Sequence, residues 1–211
     1  MKIAIGFLDY ERHDFTKIVL KNIAEAGYPF DLFTVQKKGI AAALNEIIDK
    51  TREYDAVCFC ANDILMPSNF LIHMIKYAEA IEESGMIGIH TVQPLPEVSF
   101  INGIPIHRIF TAFGNVMLTR KVIDSVGYFN EKHDPYGMQD ADYAFRLNKL
   151  GFINYYIPNL RADHIGHDVG QQTEYRLMKD EGLKKAEAIY NELCFEYDKS
   201  ENYTIFERQM I

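Results

Sequence analysis

The apolar positions of the first ninety residues alternate between two rhythms. Residues 2–8 form a short apolar run with the pattern of a strand. Phe15, Ile18, Val19 and Ile23 then recur at helical spacing, behind Asp14 as a candidate N-cap, until Gly27 stops the helix. Residues 30–35 predict a second strand. After Lys37-Lys38-Gly39, the set Ile40, Ala43, Leu44, Ile47 and Ile48 marks a second amphipathic helix. Residues 56–60 are continuously apolar, as expected of a strand covered on both faces. Pro67 and Ser68 open a third helix running to about Glu83, and residues 86–92 predict a fourth strand. This βαβαβαβ series points to an α/β fold: a mostly parallel central sheet with helices on both faces.

The second half is patterned differently. Asn102-Gly103, set between apolar residues, signals a hairpin, and Pro105 places that hairpin at a sheet edge. Residues 113–118 predict a strand, and residues 120–126 a short helix closed by Gly127. A loop from Tyr128 to Met138 leads to a helix from about Ala141 to Lys149. Residues 152–157 form a last strand, ended by Pro158, and a long charged helix follows from about Gln172 to Tyr197. No internal repeat or low-complexity linker divides the chain. The expectation is one main domain over residues 1–170, with a C-terminal helical extension over 171–211 packed on it as an oligomer contact or lid support.

Composition narrows the function classes. At 211 residues and 48% hydrophobic content, the chain can bury one sizeable core. No apolar run approaches the roughly 18 residues that cross a bilayer, and the N-terminal run reads as a core strand rather than a signal peptide. The three cysteines make no disulfide framework, and Cys58 and Cys60 read as core thiols, so a cytoplasmic location is expected. A net charge of −8 excludes a general basic footprint for nucleic acid, though not a local patch.

In open parallel sheets the ligand site lies outside the carboxyl ends of the strands. Asp63 follows directly on a buried strand, so its carboxylate belongs on that rim. There it serves either as ligand to a hard cation or, with Asn62, as a turn and capping residue before Pro67. Asp140 stands where a helix N-cap is expected, and Asp142 has Arg146 four residues on, the spacing of a surface ion pair. His164 and His167 flank Gly166 just beyond the last strand.

These pieces, in this order, resemble glycosyltransferase family 2 on the GT-A fold. The resemblance rests on Ala43-Leu44-Asn45, on Phe59-Cys60-Ala61-Asn62-Asp63-Ile64 with Pro67, and on Gly114-Asn115-Val116-Met117-Leu118-Thr119-Arg120. It continues through Val126-Gly127-Tyr128-Phe129-Asn130-Glu131, Gly137-Met138-Gln139-Asp140-Ala141-Asp142 with Arg146, and Pro158 with His164, covering about residues 2–168. It implies transfer of a sugar from a nucleoside-diphosphate sugar to an acceptor hydroxyl by a metal-dependent, inverting enzyme. Asp63 matches the last acid of the family's Asp-X-Asp motif and would hold Mn²⁺ or Mg²⁺, with His164 completing the metal shell and His167 as its substitute. Asp140 matches the general base. Asp9, Lys38, Asn45 and Asn62 lie where the family places groups near the donor nucleotide. Asn115, Gln139 and Asp142 are expected on the acceptor side. Ala61 stands in place of the first Asp of the motif, and Gln139 in place of a Glu.

The acceptor is left open among a glycan, a lipid, a protein and a modified nucleic acid base. Two other classes compete with the transferase. A nucleotidyltransferase would share the α/β start and a metal-binding acid, but residues 7–10 make no Gly-rich phosphate loop. Ala61 and Gln139 are compatible with a non-catalytic nucleotide- or sugar-binding module on the same scaffold.

Overall fold

Strand and helix alternate through the first ninety residues as the pattern predicts. The computed structural model of the chain describes residues 1–9, 13–37, 39–91, 94–111, 114–166 and 174–208. The elements in chain order are β1 (Ile3–Leu8), α1 (His13–Ile23), β2 (Asp31–Val35), α2 (Ile40–Lys50), β3 (Ala56–Ala61), β4 (Ile64–Leu65), α3 (Phe70–Ala80) and β5 (Ser84–His90). Asp14 falls inside the first turn of α1, where its charge suits the positive end of the helix dipole. The start of α3 lies beyond Pro67 and Ser68, because Asn69 takes a left-handed φ of 61° and Phe70 begins the helix.

The second half adds β6 (Val98–Ile101), β7 (Ile104–Arg108), β8 (Asn115–Thr119), α4 (Arg120–Val126), α5 (Gln139–Lys149), β9 (Ile153–Arg161), β10 (Asp163–His164) and α6 (Glu174–Ser200). Asn102 and Gly103 have φ of 50° and 80°, the two positive values that a tight hairpin between β6 and β7 requires. The last large strand continues through Pro158 to Arg161. Between the pairs Gly88–Tyr156 and His90–Arg161, β9 sets four residues against the single Ile89 of β5, so β9 bulges there and Pro158 lies outside the ladder with β5.

The eight-stranded sheet has the order β2-β1-β3-β8-β5-β9-β7-β6. β2, β1, β3, β5, β9 and β6 run one way, and β8 and β7 run against them. Alternate residues of each central strand enter opposite cores. Ile5, Phe7 and Cys58 pack with α1 and α3, whereas Ala4, Val57 and Phe59 pack with α2, α4 and α5. Each fully buried Leu or Phe in these layers contributes about 2 kcal/mol. Cys58 and Cys60 are buried core thiols, with sulfurs 4.0 Å apart.

The reversed strand β8 has a functional consequence. Asn115, its first residue, pairs with Cys60 near the end of β3. The chain entering β8 therefore meets the chain leaving β1 and β3 on one rim. Opposite the sheet, α6 packs on α5, and the segment after it is held by Ile205, whose N–H donates to Val126 O and whose carbonyl accepts from Tyr128 N. Among the described residues no helix is long and apolar enough to cross a membrane.

Candidate active site

A cleft of about 460 Å³ opens on that rim. Its floor is made by Leu8 and Val35 at the carboxyl ends of β1 and β2, and by Ala61, Asn62 and Asp63 after β3. The amino end of α5 supplies Gln139 and Asp140, β10 supplies His164, and α6 closes one side with Lys179 and Leu183.

Asp63 and His164 are brought together by a two-stranded ladder. β4 and β10 pair antiparallel, with His164 opposite Ile64, and Ile165 N–H donates to the Asp63 carbonyl. His164 Nε2 lies 3.0 Å from Asp63 Oδ2. Burial would push the Asp63 carboxyl up, but the His164 hydrogen bond, the charge on His164 and that on Lys179 outweigh it and hold the group low. Gly166 packs directly on the Asp63 side chain, where a Cβ would stand 2.5 Å from Asp63 Cβ. A carboxylate oxygen and an imidazole nitrogen this close on one cleft wall are suitable donors for a divalent cation that also takes phosphate oxygens. Among the described residues no cluster of three or more His, Cys, Asp or Glu side chains is placed for a metal, so Asp63 and His164 would fill only part of its shell. His167 lies outside the described residues.

Asp140 occupies the first turn of α5. Met138, at a left-handed φ of 62°, is the cap residue that turns the chain into the helix at Gln139, so Asp140 lies inside the helix rather than capping it. Burial raises the Asp140 carboxyl, and its own amide, that of Ala141 and the Thr111 hydroxyl pull it back only in part. The Thr111 hydroxyl is 3.5 Å from Asp140 Oδ2. A carboxylate lifted toward working pH is a better proton acceptor than an ordinary one.

The loop before α5 is fastened from behind. Asn45, wholly buried, donates to Phe129 O and Glu131 Oε1, each at 2.9 Å, and accepts from Phe129 N at 2.8 Å. Asp134 accepts from Ala41 and Ala42 amides at 2.8 and 3.1 Å, so it caps α2 from across the fold. These bonds fix the loop that delivers Tyr136, Gly137 and Met138 to the cleft.

The candidates therefore separate. Asn62, Asp63, Gln139, Asp140 and His164 line the cleft. Asn62 donates to Asp9, which also accepts from His13, Thr16 and Gln36. Burial acts to raise Asp9, yet these hydrogen bonds bring it down to about 2. Asp9 thus supports the rim from below. Asn45 lies behind the loop and not among the residues that line the cleft, its amide being taken up by the Phe129 backbone and the Glu131 carboxylate. Asn115 is buried and donates to Ile89 O, tying β8 to β5. Lys38 lies outside the described residues, but its neighbour Lys37 lines the cleft.

Asp142 departs furthest from expectation, because it is neither an acceptor contact nor half of a surface pair. Asp142 and Arg146 are both 0% exposed, since α5 is enclosed between the sheet and α6. Arg146 Nε donates to Asp142 Oδ1 at 2.9 Å, and its other nitrogens bond Val126 O and Tyr128 O. Tyr197 of α6 donates to Asp142 Oδ2 at 3.0 Å, and His133 Nε2 is 3.4 Å away. Burial acts to raise the Asp142 carboxyl, and the charges of Arg146 and His133 reverse the shift.

Lys179 was not among the sequence candidates. A signal for it existed in the helical spacing of Lys179, Gly182, Leu183 and Ala186, which sets two small residues and a leucine beside a cation on one face of α6.

The sheet order, the reversed strand and the rim cleft define a GT-A fold. Solved structures of that architecture match it at low identity. Mannosyltransferase PcManGT from Pyrobaculum calidifontis, solved with GDP-Man and Mn²⁺, is 15% identical at a TM-score of 0.63, over 80% of this chain and 58% of that one. TarS of S. aureus is 12% identical at a TM-score of 0.60, over 77% and 37%. GalNAc-T7, solved with UDP, GalNAc and Mn²⁺, is 9% identical at a TM-score of 0.59, over 82% and 44%. The chain thus spans less than two thirds of each of these neighbours. No protein-family model matches the sequence, and no curated protein is similar to it in sequence.

Proposed function

We propose that the protein is a glycosyltransferase that moves a sugar from a nucleoside-diphosphate sugar to an acceptor hydroxyl with inversion. The carrying observation is that Asp140, with its raised carboxyl, faces the same cleft as the Asp63–His164 pair on the rim of a GT-A fold. The neighbours solved with GDP-Man or with UDP, GalNAc and Mn²⁺ support the choice of donor class and of a divalent cation.

Asp140 would take the proton from the acceptor hydroxyl as its oxygen attacks the anomeric carbon, opposite the departing diphosphate. Asp63 and His164 would hold the cation, Mn²⁺ or Mg²⁺, which supplies Lewis acidity toward the phosphate oxygens when bound. The strand ends at Leu8 and Val35, which line the cleft, would give the nucleotide an apolar floor.

Substitution of Asp140 by Asn tests the reading. Transfer should fall about a hundredfold to ten-thousandfold, the range of a lost general base, while nucleotide binding stays intact. Asp63→Ala should instead weaken metal-dependent nucleotide binding. Full transfer by Asp140→Asn would remove Asp140 from the role of base. Ala61, which removes one acid from the rim, favours a second reading as a binding module; nucleotide binding without turnover by the wild type would select it.

A further inference from the structure

The cleft contains a cation that the proposed chemistry has not yet used. Lys179 projects from α6, the helix closing one side of the cleft, and its Nζ lies 5.1 Å from the centre of the Tyr136 ring. Asp63, His164 and Asp140 line the same cleft. The ammonium therefore stands beside the loop before α5, in the cleft that the Asp63–His164 pair also lines.

Two close approaches fix α6 in that place. A Cβ on Gly182 would stand 3.0 Å from Tyr136 O, and one on Gly137, at φ 111°, would stand 3.1 Å from Ala186 Cβ and 3.2 Å from Leu183 Cα. Small residues on both sides bring the helix against the loop, so a lysine one turn before Leu183 is carried to the wall of the cleft. Lys37 lines the same cleft. The charge balance also points to an anion: Ala61 takes one carboxylate off the rim, and two lysines and a histidine share the cleft with Asp63 and Asp140.

We propose that Lys179 binds the diphosphate of the donor and stabilises it as a leaving group; this rests on the glycosyltransferase reading above. In the transfer step the bond between the anomeric carbon and the β-phosphate oxygen breaks, and its electron pair stays on the phosphate. The acceptor oxygen forms the new bond to that carbon, and its proton passes to Asp140. The diphosphate gains one unit of negative charge, which the Lys179 ammonium meets by a charge-assisted hydrogen bond. Lys179 would then contribute to binding a nucleoside diphosphate and not to binding the monophosphate.

Calorimetric titration of the full chain with UDP, GDP, UMP and GMP, in the presence of Mn²⁺, tests this. For whichever diphosphate binds, Lys179→Ala should weaken affinity about tenfold to a hundredfold, the range of a lost hydrogen bond to a charged group. The matching monophosphate should bind as it does to the wild type, and Lys179→Arg should retain most of the diphosphate affinity. Diphosphate binding unchanged in Lys179→Ala would overturn the proposal. Equal losses for diphosphate and monophosphate would also overturn it, assigning Lys179 to the packing of α6. A wild type that binds neither diphosphate would overturn the donor-site reading itself, a result distinguishable from failure of the lysine.

Discussion

Asp9 shows how one side chain at a strand end organises the rim without touching the cleft. It is 5% exposed and accepts from His13 at 3.1 Å, Gln36 at 2.6 Å and Asn62 at 3.1 Å, as well as from Thr16. Its carboxyl is held at about 2, against an ordinary value of 3.8. A depressed carboxyl stabilises the fold above its unfolded pKa and loses that contribution as pH falls through its folded value. The shift corresponds to about 2 kcal/mol, present above about pH 4 and lost as pH falls toward about 2. Asp9→Asn should therefore lower stability by about that amount near neutrality, and the difference from wild type should shrink in acid. Urea unfolding at neutral and acid pH measures both; a difference constant across that range would contradict the assignment.

At the scale of elements, α5 carries Asp140 on one face and a buried ionic cluster on another. Phe129 stacks on Tyr143 with centroids 4.2 Å apart, fixing the sheet side of the helix. Asp142, Arg146 and Tyr197 tie its other side to α6. Removing one partner of a buried pair strands the other charge, so Arg146→Met should cost roughly 3–5 kcal/mol. Asp142→Leu combined with Arg146→Met should recover part of that loss, because no uncompensated charge remains. A double-mutant cycle followed by thermal unfolding tests this; strictly additive single effects would show that the two residues do not depend on one another.

The whole molecule has a net charge of −8, yet its cleft gathers Lys37, Lys179 and His164. Anion binding here would be a local property of converging loops, read against an unfavourable global field. A nucleotide that binds only the folded chain stabilises it by mass action. At a ligand concentration about a hundred times Kd, the gain is about 2.7 kcal/mol, or roughly 5–10 °C in Tm for a chain of this size. A thermal-shift series with UDP and GDP should show this with Mn²⁺ present and a smaller rise after chelation. Equal shifts with and without metal would argue against Asp63 and His164 as its ligands.

Much of the architecture was legible in local pattern. Apolar period and turn chemistry specified the alternating strands and helices, the Asn102-Gly103 hairpin and the limits of α4, because short-range sterics and burial of one face act within a few residues. The positions of Asp63 and Asp140 at element ends were equally local. Pro158 misled because its tolerance depends on a bulge set by the partner strand. Asp142 and Arg146 look like a surface pair at i, i+4 until α6, some fifty residues later, covers them. Asn45 and Asp134 act through partners more than eighty residues away. The sequence by itself determined the elements and the rim on which a carboxylate would stand. Tertiary structure decided which polar groups face the cleft and which are enclosed, since burial and charge pairing depend on neighbours distant along the chain.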